Sequence, residues 1–289
     1  MQNNLRPRRS MLYMPGANPR ALEKARTLPA DGLIFDLEDA VMADAKADAR
    51  AAIAAALRQG GYGARELILR VNGLSTPWGA DDLAFATTLP IHGVLLPKVE
   101  SAGDVHAAQA LIDAAGAALD IWCMIETPLG VLRAGEIAAA GGRLAGFVMG
   151  TNDLVKDLHA RHTPDRLPIM TALGLSLLAA RAHGLAIIDG VHIDLDDDEG
   201  FARACAQGVE LGFDGKSLVH PRTIEAANRI FAPTAEEIAA AQRMIAGFEA
   251  ARADGKGVAR IDGKLVEQLH VDNARRLLDM VAAIEHLSR

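Results

Sequence analysis

The chain has 289 residues, enough for one large domain with an extension or for two domains of ordinary size. Its residues are 50% hydrophobic, 23% charged and only 4% aromatic, a globular balance without the stacking surfaces of single-stranded nucleic-acid binders. The formal net charge of −7 argues against a protein that binds duplex DNA.

Two cysteines are too few for a cysteine-rich zinc site or a disulfide scaffold. The apolar run Ser10–Met14 near the N-terminus is too short for the apolar core of a signal peptide. No apolar stretch has the length of a transmembrane helix. We therefore predict a cytoplasmic protein that binds neither membranes nor nucleic acids.

Short apolar segments alternate with alanine-rich segments over most of the chain. Candidate strands lie at 10–14, 31–37, 66–72, 92–99, 120–126, 144–150, 185–192 and 212–219. Between them, Ala, Leu and Arg recur at helical spacing, as in 43–58, 101–115 and 169–182. Continuous apolar strands separated by helices indicate a parallel sheet buried on both faces. Eight such units favour an α/β fold of the closed (β/α)8 TIM barrel type over an open doubly wound sheet.

A different pattern follows the eighth strand. Thr234 and Glu237 match a capping box, which predicts a helix that runs to about Arg252. Asp262-Gly263 lies between two short runs of strand-forming residues and predicts a type I′ hairpin. A last helix is predicted over about 270–287.

These patterns divide the chain into two predicted parts. Residues 1–232 form the catalytic barrel, and residues 233–289 form a helix-hairpin-helix extension. An extension of about 55 residues is too small to fold alone without other support. We therefore expect it to dock on the barrel or on a neighbouring subunit.

Polar side chains follow seven of the eight predicted strands. They are Asp36, Glu38, Asp39, Arg70, Asn72, Lys98, Glu126, Asp153, Asp189, His192 and His220. A single charge of this kind is usually a solvated loop residue, but so many strand ends are not expected to carry one by chance. Because the C-terminal ends of barrel strands meet at one face, we predict the active site there.

Glu126 and Asp153 lie at the ends of the fifth and sixth predicted strands, which are neighbours in a barrel. Two carboxylates with room for water form the kind of site that Mg²⁺ prefers. The alternative is structural: Asp153 caps the following helix and Glu126 pairs with a nearby cation. Spacing alone leaves both interpretations open.

Arg70 ends the third predicted strand between two apolar residues. Its planar guanidinium matches a carboxylate, so it can bind an acidic substrate. It can equally neutralise Asp36 or Glu38 at the end of the neighbouring strand. The sequence pattern leaves both roles open.

Several motifs together resemble the citrate lyase β-subunit-like family of the 2-oxo-acid aldolase superfamily. They are Arg9–Gly16, Asp36–Val41, Leu69–Asn72, Leu96–Val99, Ile125–Thr127 and Leu218–Pro221. The similarity extends from Arg9 to about Leu277, and that family includes malyl-CoA lyases, citramalyl-CoA lyases and malyl-CoA thioesterases. The resemblance implies a TIM barrel that binds Mg²⁺ and acts on an acyl-CoA.

The resemblance also implies roles for individual residues. Glu126 and Asp153 would bind the metal, and Arg70 would bind the carboxylate of a 2-oxo acid. The backbone at Gly150, Thr151 and Asn152 would lie beside that acid. Tyr13, Pro15 and Lys24 match positions that line the CoA channel. We assign Asp36, Glu38, Asp39 and Lys98, from their positions, to orienting Arg70 and the metal-bound waters.

Two departures from the family pattern affect these roles. A basic CoA-binding residue of the family falls on Asn18, so Arg20 or Lys24 would take over its contact. A catalytic Asp of the lyases, contributed to a neighbouring subunit, falls on Glu267, one methylene longer. Glu267 can keep that acid–base role, favour another substrate, or favour attack by water. The shared site implies a homo-oligomer, a trimer or hexamer.

Four functions remain as hypotheses. The first is Mg²⁺-dependent cleavage of a carbon–carbon bond in citramalyl-CoA or malyl-CoA, giving acetyl-CoA and a 2-oxo acid, pyruvate or glyoxylate. The second is hydrolysis of the malyl-CoA thioester. The third is an aldolase that acts on a hydroxy acid without CoA, and the fourth is a citrate lyase β subunit that needs an acyl-carrier partner.

Overall fold

A computed structural model describes residues 5–287 of the chain. Eight parallel strands pair in chain order, and the first pairs with the last, so the sheet closes into a barrel. The strands are β1 (Ser10–Pro15), β2 (Gly32–Asp36), β3 (Glu66–Arg70), β4 (Gly93–Leu96), β5 (Asp120–Ile125), β6 (Leu144–Met149), β7 (Ala186–Asp189) and β8 (Gly215–Leu218). The TIM barrel prediction is confirmed: seven predicted ranges contain their strands, and β1 extends one residue beyond the predicted 10–14.

At least one helix follows each barrel strand. They are α1 (Pro19–Lys24), α2 (Lys46–Gln59), α3 (Gly79–Ala86), α4 (Ala102–Ala114), α5 (Pro128–Leu132), α6 (Ala134–Ala138), α7 (Thr151–Asp157), α8 (Met170–Ala182), α9 (Asp198–Leu211) and α10 (Ile224–Ile230). Several begin at side-chain caps: Ser101 forms a capping box for α4, and Thr127 accepts a backbone hydrogen bond at the start of α5. Each cap fixes the residue at which its helix begins and so limits the length of the loop that carries the strand-end residues.

The barrel interior is a packed apolar core. Alternate residues of the strands fill it: Met11, Ile34, Ile68, Leu95, Trp122, Met124, Val148 and Ile188. The opposite faces of the strands pack against the helices in a second, larger apolar cluster. Because the interior is filled, the polar residues at the C-terminal ends of the strands lie above a solid floor and not at the mouth of a pore.

The described chain divides into two compact units, Arg8–Phe231 and a second unit that contains residues 5–7 and 232–287. The second unit contains α11 (Ala235–Ala253), β9 (Ala259–Ile261), β10 (Lys264–Val266) and α12 (Gln268–Leu287). The predicted hairpin is confirmed: Asp262 and Gly263 have φ of 49° and 79°, as a type I′ turn requires.

The second unit has a small core of its own, formed by Phe248, Ala259, Val266 and Val271. The helix-hairpin-helix architecture of the extension agrees with the sequence prediction, and its docking partner stays a prediction. None of the helices within residues 5–287 combines the length and the apolar character needed to cross a membrane.

Candidate active site

A cavity of about 360 Å³ lies at the C-terminal ends of the barrel strands. The sequence-predicted residues that line it are Tyr13, Pro15, Asp36, Asp39, Arg70, Glu126, Gly150, Thr151, Asn152 and Asp153. These residues come from five different strand ends, and the register of the sheet places them on one face. The predicted convergence of strand-end residues is therefore found in the structure.

Glu126 and Asp153 form a carboxylate pair in this cavity. Glu126 is only 3% exposed, and its Oε1 accepts a hydrogen bond of 2.8 Å from the backbone N–H of Lys98. Burial, reinforced by the charge of Asp153, raises the pKa of Glu126 to about 7, although the Lys98 hydrogen bond opposes the shift. Glu126 is thus a buried carboxyl group whose charge is not neutralised by a close cation among the residues that the structure describes.

The structural alternatives were that Asp153 caps the following helix and that Glu126 pairs with a nearby cation, and the geometry agrees with neither. Helix α7 begins after Gly150 without a side-chain cap, so Asp153 lies in its first turn and does not cap it. Within residues 5–287, Glu126 has no ion pair closer than 4.0 Å. The nearest cations of Asp153 are the side-chain ammonium groups of Lys98 and Lys156, each 3.9 Å away. Both carboxylates are therefore open to a further cation.

Lys98 contributes to this site through its backbone. Its φ of 49° is in the left-handed region, which is uncommon for a residue other than glycine. That conformation aims its N–H at Glu126, while its side chain stays half exposed. The position of Lys98 after a predicted strand places it near the site, but this backbone contact could not be predicted, because the φ angle of a lysine cannot be read from its residue type.

The three guanidinium nitrogens of Arg70 are all held by carboxylates. Its Nε and Nη2 donate to Asp36 at 2.7 and 2.6 Å, and its Nη1 lies 2.7 Å from a carboxylate oxygen of Glu38. Burial alone would lower the pKa of Arg70. The hydrogen bonds and the charge of Asp36 outweigh this effect, so the pKa lies above its ordinary value. The guanidinium lies over the Tyr13 ring, 5.0 Å from its centroid. Arg70 is therefore charged and rigidly oriented.

Glu38 has an unusual environment. Burial raises its pKa to about 7 and the charge of Asp39 adds to the shift, whereas Arg70 opposes it. Because Asp36 already occupies two of the guanidinium nitrogens, Glu38 occupies the third, Nη1. The interpretation that Arg70 neutralises Asp36 and Glu38 is thus found in the structure. It is compatible with a second role at Nη1.

Sequence reasoning missed Lys46, which lies in the alanine-rich segment predicted as a helix. Lys46 is 6% exposed, and its ammonium donates to the carbonyls of Leu37 and Glu38 and to the side chain of Asn72. It thereby fixes the loop that carries Glu38 beside Arg70. Its position at the start of a helix gave no sign that the side chain turns inward.

The remaining predicted residues lie elsewhere. Arg20 and Lys24 are exposed on α1 and are not among the residues that line the cavity. Asn18 caps α1 by accepting the N–H of Ala21 at 3.1 Å. Glu267 belongs to the second unit, between β10 and α12, where its N–H donates to His270.

The donor set fits a hard divalent cation better than a transition metal. No group of three or more His, Cys, Asp or Glu side chains between residues 5 and 287 is arranged to hold a metal ion. Mg²⁺ commonly uses one or two carboxylates and completes its shell with water and substrate oxygens. The raised pKa of Glu126 shows that burial disfavours its ionised form, and a bound cation would stabilise that form.

The sequence profile of the family described as HpcH/HpaI aldolase/citrate lyase matches residues 9–221. This span holds every strand of the barrel and the whole cavity described above. The chain belongs to this family. The resemblance inferred from the sequence motifs is therefore confirmed.

Relatives in this family are named for different activities. The chain is 50% identical over 284 residues to a (3S)-malyl-CoA thioesterase of Cereibacter sphaeroides, covering 98% of each chain. It is 39% identical to the citrate lyase β subunit of Leuconostoc mesenteroides, covering 97% of this chain and 95% of that one. The family thus contains both thioester hydrolysis and lyase chemistry.

A solved structure of the family has a similar fold. CitE of Mycobacterium tuberculosis, in complex with magnesium, acetoacetate and coenzyme A, superposes with a TM-score of 0.78 at 28% identity. The similarity covers 96% of this chain and 98% of CitE. That structure holds magnesium, acetoacetate and coenzyme A together on the same fold.

Gly150 is the residue whose replacement tests the packing of the carboxylate pair. A Cβ at this position would overlap Cβ and Oε2 of Glu126. We expect Gly150→Ala to displace Glu126 and to lower the free energy of unfolding by about 1–3 kcal/mol, as measured by urea denaturation. The control is Gly174→Ala, because a Cβ at that helical position meets nothing within 4 Å. Equal stability of the two variants would contradict the packing.

Proposed function

We propose that this protein is a Mg²⁺-dependent enzyme that hydrolyses the thioester of malyl-CoA or a closely similar 3-hydroxyacyl-CoA. The observation that carries the proposal is the placement of the Glu126–Asp153 carboxylate pair beside Arg70 in one cavity. The pair suits a metal, and the buried guanidinium suits the free carboxylate of an acidic acyl group. The thioesterase relative, 50% identical over nearly the full length, supports the choice of thioester hydrolysis.

Glu126 and Asp153 are the residues that would hold Mg²⁺. When bound, the metal supplies Lewis-acid polarisation of substrate oxygens and charge stabilisation in the transition state. The backbone N–H of Lys98 keeps the Glu126 carboxylate in its orientation, and Gly150 leaves room for it. The backbone at Gly150, Thr151 and Asn152 then lies beside the acyl group, as the family resemblance implies.

Arg70 would bind the free carboxylate of the malyl group. Asp36 fixes the guanidinium plane through Nε and Nη2, so that Nη1 is the nitrogen that can change partner. An incoming carboxylate would replace Glu38 at Nη1. Since the pKa of Glu38 is raised to about 7, Glu38 can take up a proton when it is displaced and so avoid an unpaired buried charge.

The CoA moiety would enter beside Tyr13 and Pro15, which line the cavity. Asn18 is committed to capping α1, so the basic contact to CoA phosphates would fall to the exposed Arg20 or Lys24 on the same helix. CoA is an anionic ligand, and exposed cations at the mouth of a site suit its phosphates. These assignments follow the family resemblance.

The second candidate is the carbon–carbon lyase that the sequence analysis placed first. The citrate lyase β subunit relative and the oxo-acid complex of CitE favour it. In that reaction Arg70 would hold the carboxylate of pyruvate or glyoxylate, and Glu267 would exchange a proton with the carbon of acetyl-CoA. An aldolase without CoA and a β subunit that needs an acyl carrier stay as weaker alternatives.

One assay separates these activities. Purified protein is incubated with malyl-CoA or citramalyl-CoA and Mg²⁺, and free thiol and 2-oxo acid are measured separately. Free thiol without 2-oxo acid supports the thioesterase, and 2-oxo acid with acetyl-CoA supports the lyase. No reaction with either substrate would contradict both and favour the CoA-independent aldolase or the carrier-dependent subunit.

Mg²⁺ binding is expected to strengthen as the pH rises through about 7. The pKa of Glu126 is raised from its ordinary 4.5 to about 7, so between these values the folded protein holds a proton that the unfolded chain has released. Without metal, the free energy of unfolding therefore falls as the pH rises across this range. Mg²⁺ takes the place of the proton, so the Tm increase on adding Mg²⁺ should be larger at about pH 8 than at about pH 6.

Scanning calorimetry of the wild type and of Glu126→Gln tests this expectation. The glutamine variant keeps an acceptor for the Lys98 N–H but cannot ionise, so its Mg²⁺ response should be small at both pH values. A wild-type Tm increase that is the same at both pH values would count against Glu126 as a metal ligand.

A complementation experiment tests the proposed role of Glu267. If Glu267 serves the site of a neighbouring subunit in a homo-oligomer, Glu126→Ala and Glu267→Gln are each inactive alone. Co-expressed in one oligomer, they should recover partial activity, because some sites then contain both intact residues. The control pair, Glu126→Ala with Asp153→Asn, damages one site in the same way and should recover none. Light scattering that gives a monomer would contradict the shared site.

A further inference from the structure

The floor of the catalytic cavity is formed by side chains from inside the barrel. Tyr13 on β1 packs against the apolar core of the barrel, to which Met124 on β5 belongs, and both residues line the cavity. Arg70 on β3 lines it too, with its guanidinium over the Tyr13 ring. Three strands thus bring a phenolic hydroxyl, a thioether and a guanidinium together at the bottom of the site.

The hydroxyl group of Tyr13 has no oxygen or nitrogen acceptor within residues 5–287. Its one hydrogen-bond partner there is Sδ of Met124, at 3.8 Å. A thioether sulfur is a weak acceptor, and most buried polar side chains have a better partner. Burial raises the pKa of Tyr13, although the charge of Arg70 opposes the shift. The hydroxyl therefore keeps its proton at neutral pH and remains a hydrogen-bond donor.

The same sulfur atom lies beside the guanidinium nitrogen that the substrate carboxylate would use. Nη1 of Arg70 is 3.7 Å from Sδ of Met124, whereas Nε and Nη2 donate to Asp36. The Tyr13 hydroxyl and Arg70 Nη1 therefore both lie within 3.8 Å of one sulfur atom. A neutral and a charged donor that face one weak acceptor form a pair that an anionic oxygen would satisfy better.

The nearby carboxylates of the protein do not accept from this hydroxyl. Asp36, Glu38 and Glu126 are close enough to raise its pKa, but none of them forms a hydrogen bond with it in the described part of the chain. Asp36 accepts from Arg70 and from two backbone N–H groups of its own loop. Glu126 accepts a backbone N–H. An acceptor for the hydroxyl is therefore expected to come from a ligand in the cavity.

We propose that Tyr13 determines substrate specificity, by donating a hydrogen bond from its hydroxyl to the same substrate carboxylate that Arg70 binds through Nη1. The inference rests on the proposed function, and it gives the hydroxyl a role different from the CoA-channel position that the resemblance implies for Tyr13. A substrate with a methyl group in place of the carboxylate would leave both donors without an oxygen acceptor. The two donors together would therefore select an acidic acyl group.

Tyr13→Phe tests the inference, because it removes the hydroxyl and keeps the ring beneath the Arg70 guanidinium. The two matched ligands are malyl-CoA and 3-hydroxybutyryl-CoA, which carries a methyl group where malyl-CoA carries its free carboxylate. The first is measured by kcat/KM and the second by its Ki as an inhibitor, both with Mg²⁺ present. A third probe is pyruvate, whose carboxylate is followed without turnover by titrating the Tm increase in the presence of Mg²⁺.

The control is Tyr62→Phe, at the other tyrosine of the chain. The Tyr62 hydroxyl is not at the catalytic cavity and donates to the carbonyl of Leu22 at 3.1 Å. Its removal leaves a buried carbonyl without this partner, so the control should lower the Tm and leave kcat/KM and Ki unchanged. Tyr13→Phe should do the reverse, since its hydroxyl has only a sulfur partner to lose.

We expect Tyr13→Phe to lower kcat/KM for malyl-CoA and the affinity for pyruvate by about tenfold or more, with the Ki of 3-hydroxybutyryl-CoA unchanged. An unchanged kcat/KM would overturn the inference. So would a similar loss for 3-hydroxybutyryl-CoA, because the hydroxyl would then contact a part that both ligands share.

The pyruvate titration separates failure of the inference from failure of the proposed function. If the wild type does not turn over malyl-CoA but its pyruvate affinity depends on the Tyr13 hydroxyl, the proposed function fails and the carboxylate contact stands. If malyl-CoA is turned over equally by the wild type and Tyr13→Phe, the function stands and the inference fails. A wild type that neither turns over malyl-CoA nor binds pyruvate would overturn both.

Discussion

Glu126→Ala is expected to abolish Mg²⁺ binding and to lower turnover of malyl-CoA by about 1,000-fold or more, equivalent to about 4 kcal/mol of transition-state stabilisation. The reason is that Glu126 is one of two carboxylates in the cavity that can hold the metal, and it is the buried one. Mg²⁺ titration by calorimetry, together with steady-state rates of thiol release, measures both effects.

The variant should nevertheless fold. Removing a buried carboxyl group whose ionised form is disfavoured is expected to leave the metal-free protein at least as stable at about pH 8 as the wild type, and Glu126→Gln should be the more stable of the two variants. Glu136→Ala, an exposed glutamate on α6, is the matched control and should keep both activity and Mg²⁺ affinity. An active Glu126→Ala variant with wild-type Mg²⁺ affinity would refute the metal site proposed here.

Arg70→Lys is expected to damage both stability and catalysis. The lysine keeps the charge but cannot form the two parallel hydrogen bonds that Asp36 accepts from Arg70. Asp36 is 2% exposed, so its carboxylate would lose its best partner in a buried setting. We expect the free energy of unfolding to fall by about 2–4 kcal/mol and the KM for malyl-CoA to rise by at least about tenfold.

A double-mutant cycle separates the two effects. Asp36→Asn removes the charge that Arg70 balances, so the stability losses of Arg70→Lys and Asp36→Asn should be less than additive when combined. The KM defect should persist in the double variant, because the substrate carboxylate still lacks the guanidinium. Additive stability losses would mean that the two residues do not depend on each other. Arg58→Lys on α2 is the control for the substitution itself.

The barrel could be predicted from the sequence because its signals are local and repeated. Each strand is a short apolar run bounded by a helix start, and Thr127-Pro128 and the acidic run before α9 mark such starts explicitly. Eight repeats leave few architectures other than a TIM barrel. The hairpin at Asp262-Gly263 could be predicted equally well, since only a few residue pairs adopt two successive positive φ angles.

The site could be predicted in part, for the same reason. Knowing that strand ends converge is enough to bring Arg70, Glu126 and Asp153 together, but it does not say which polar residue turns into which cavity. Asp189 was predicted to lie in the active site with the other strand-end residues and instead pairs with Arg166 and Lys216. His220, from the same group, accepts the N–H of Arg222 at the start of a 3₁₀ turn. Such choices depend on side-chain packing between distant segments, which spacing along the chain does not encode.

The contacts between the first and last strands have a consequence for how the protein is made. β1 pairs with β8, and Ser10 donates a hydrogen bond of 2.6 Å to Asn228, 218 residues away in the chain. During synthesis, β1 therefore leaves the ribosome long before the strand that must cover its edge. A nascent chain released before Gly215 would lack β8 and would be a curved sheet with two open edges, and Ser217 and Val219 would be missing from its cavity. Premature termination would thus yield aggregating fragments and not a weakened enzyme.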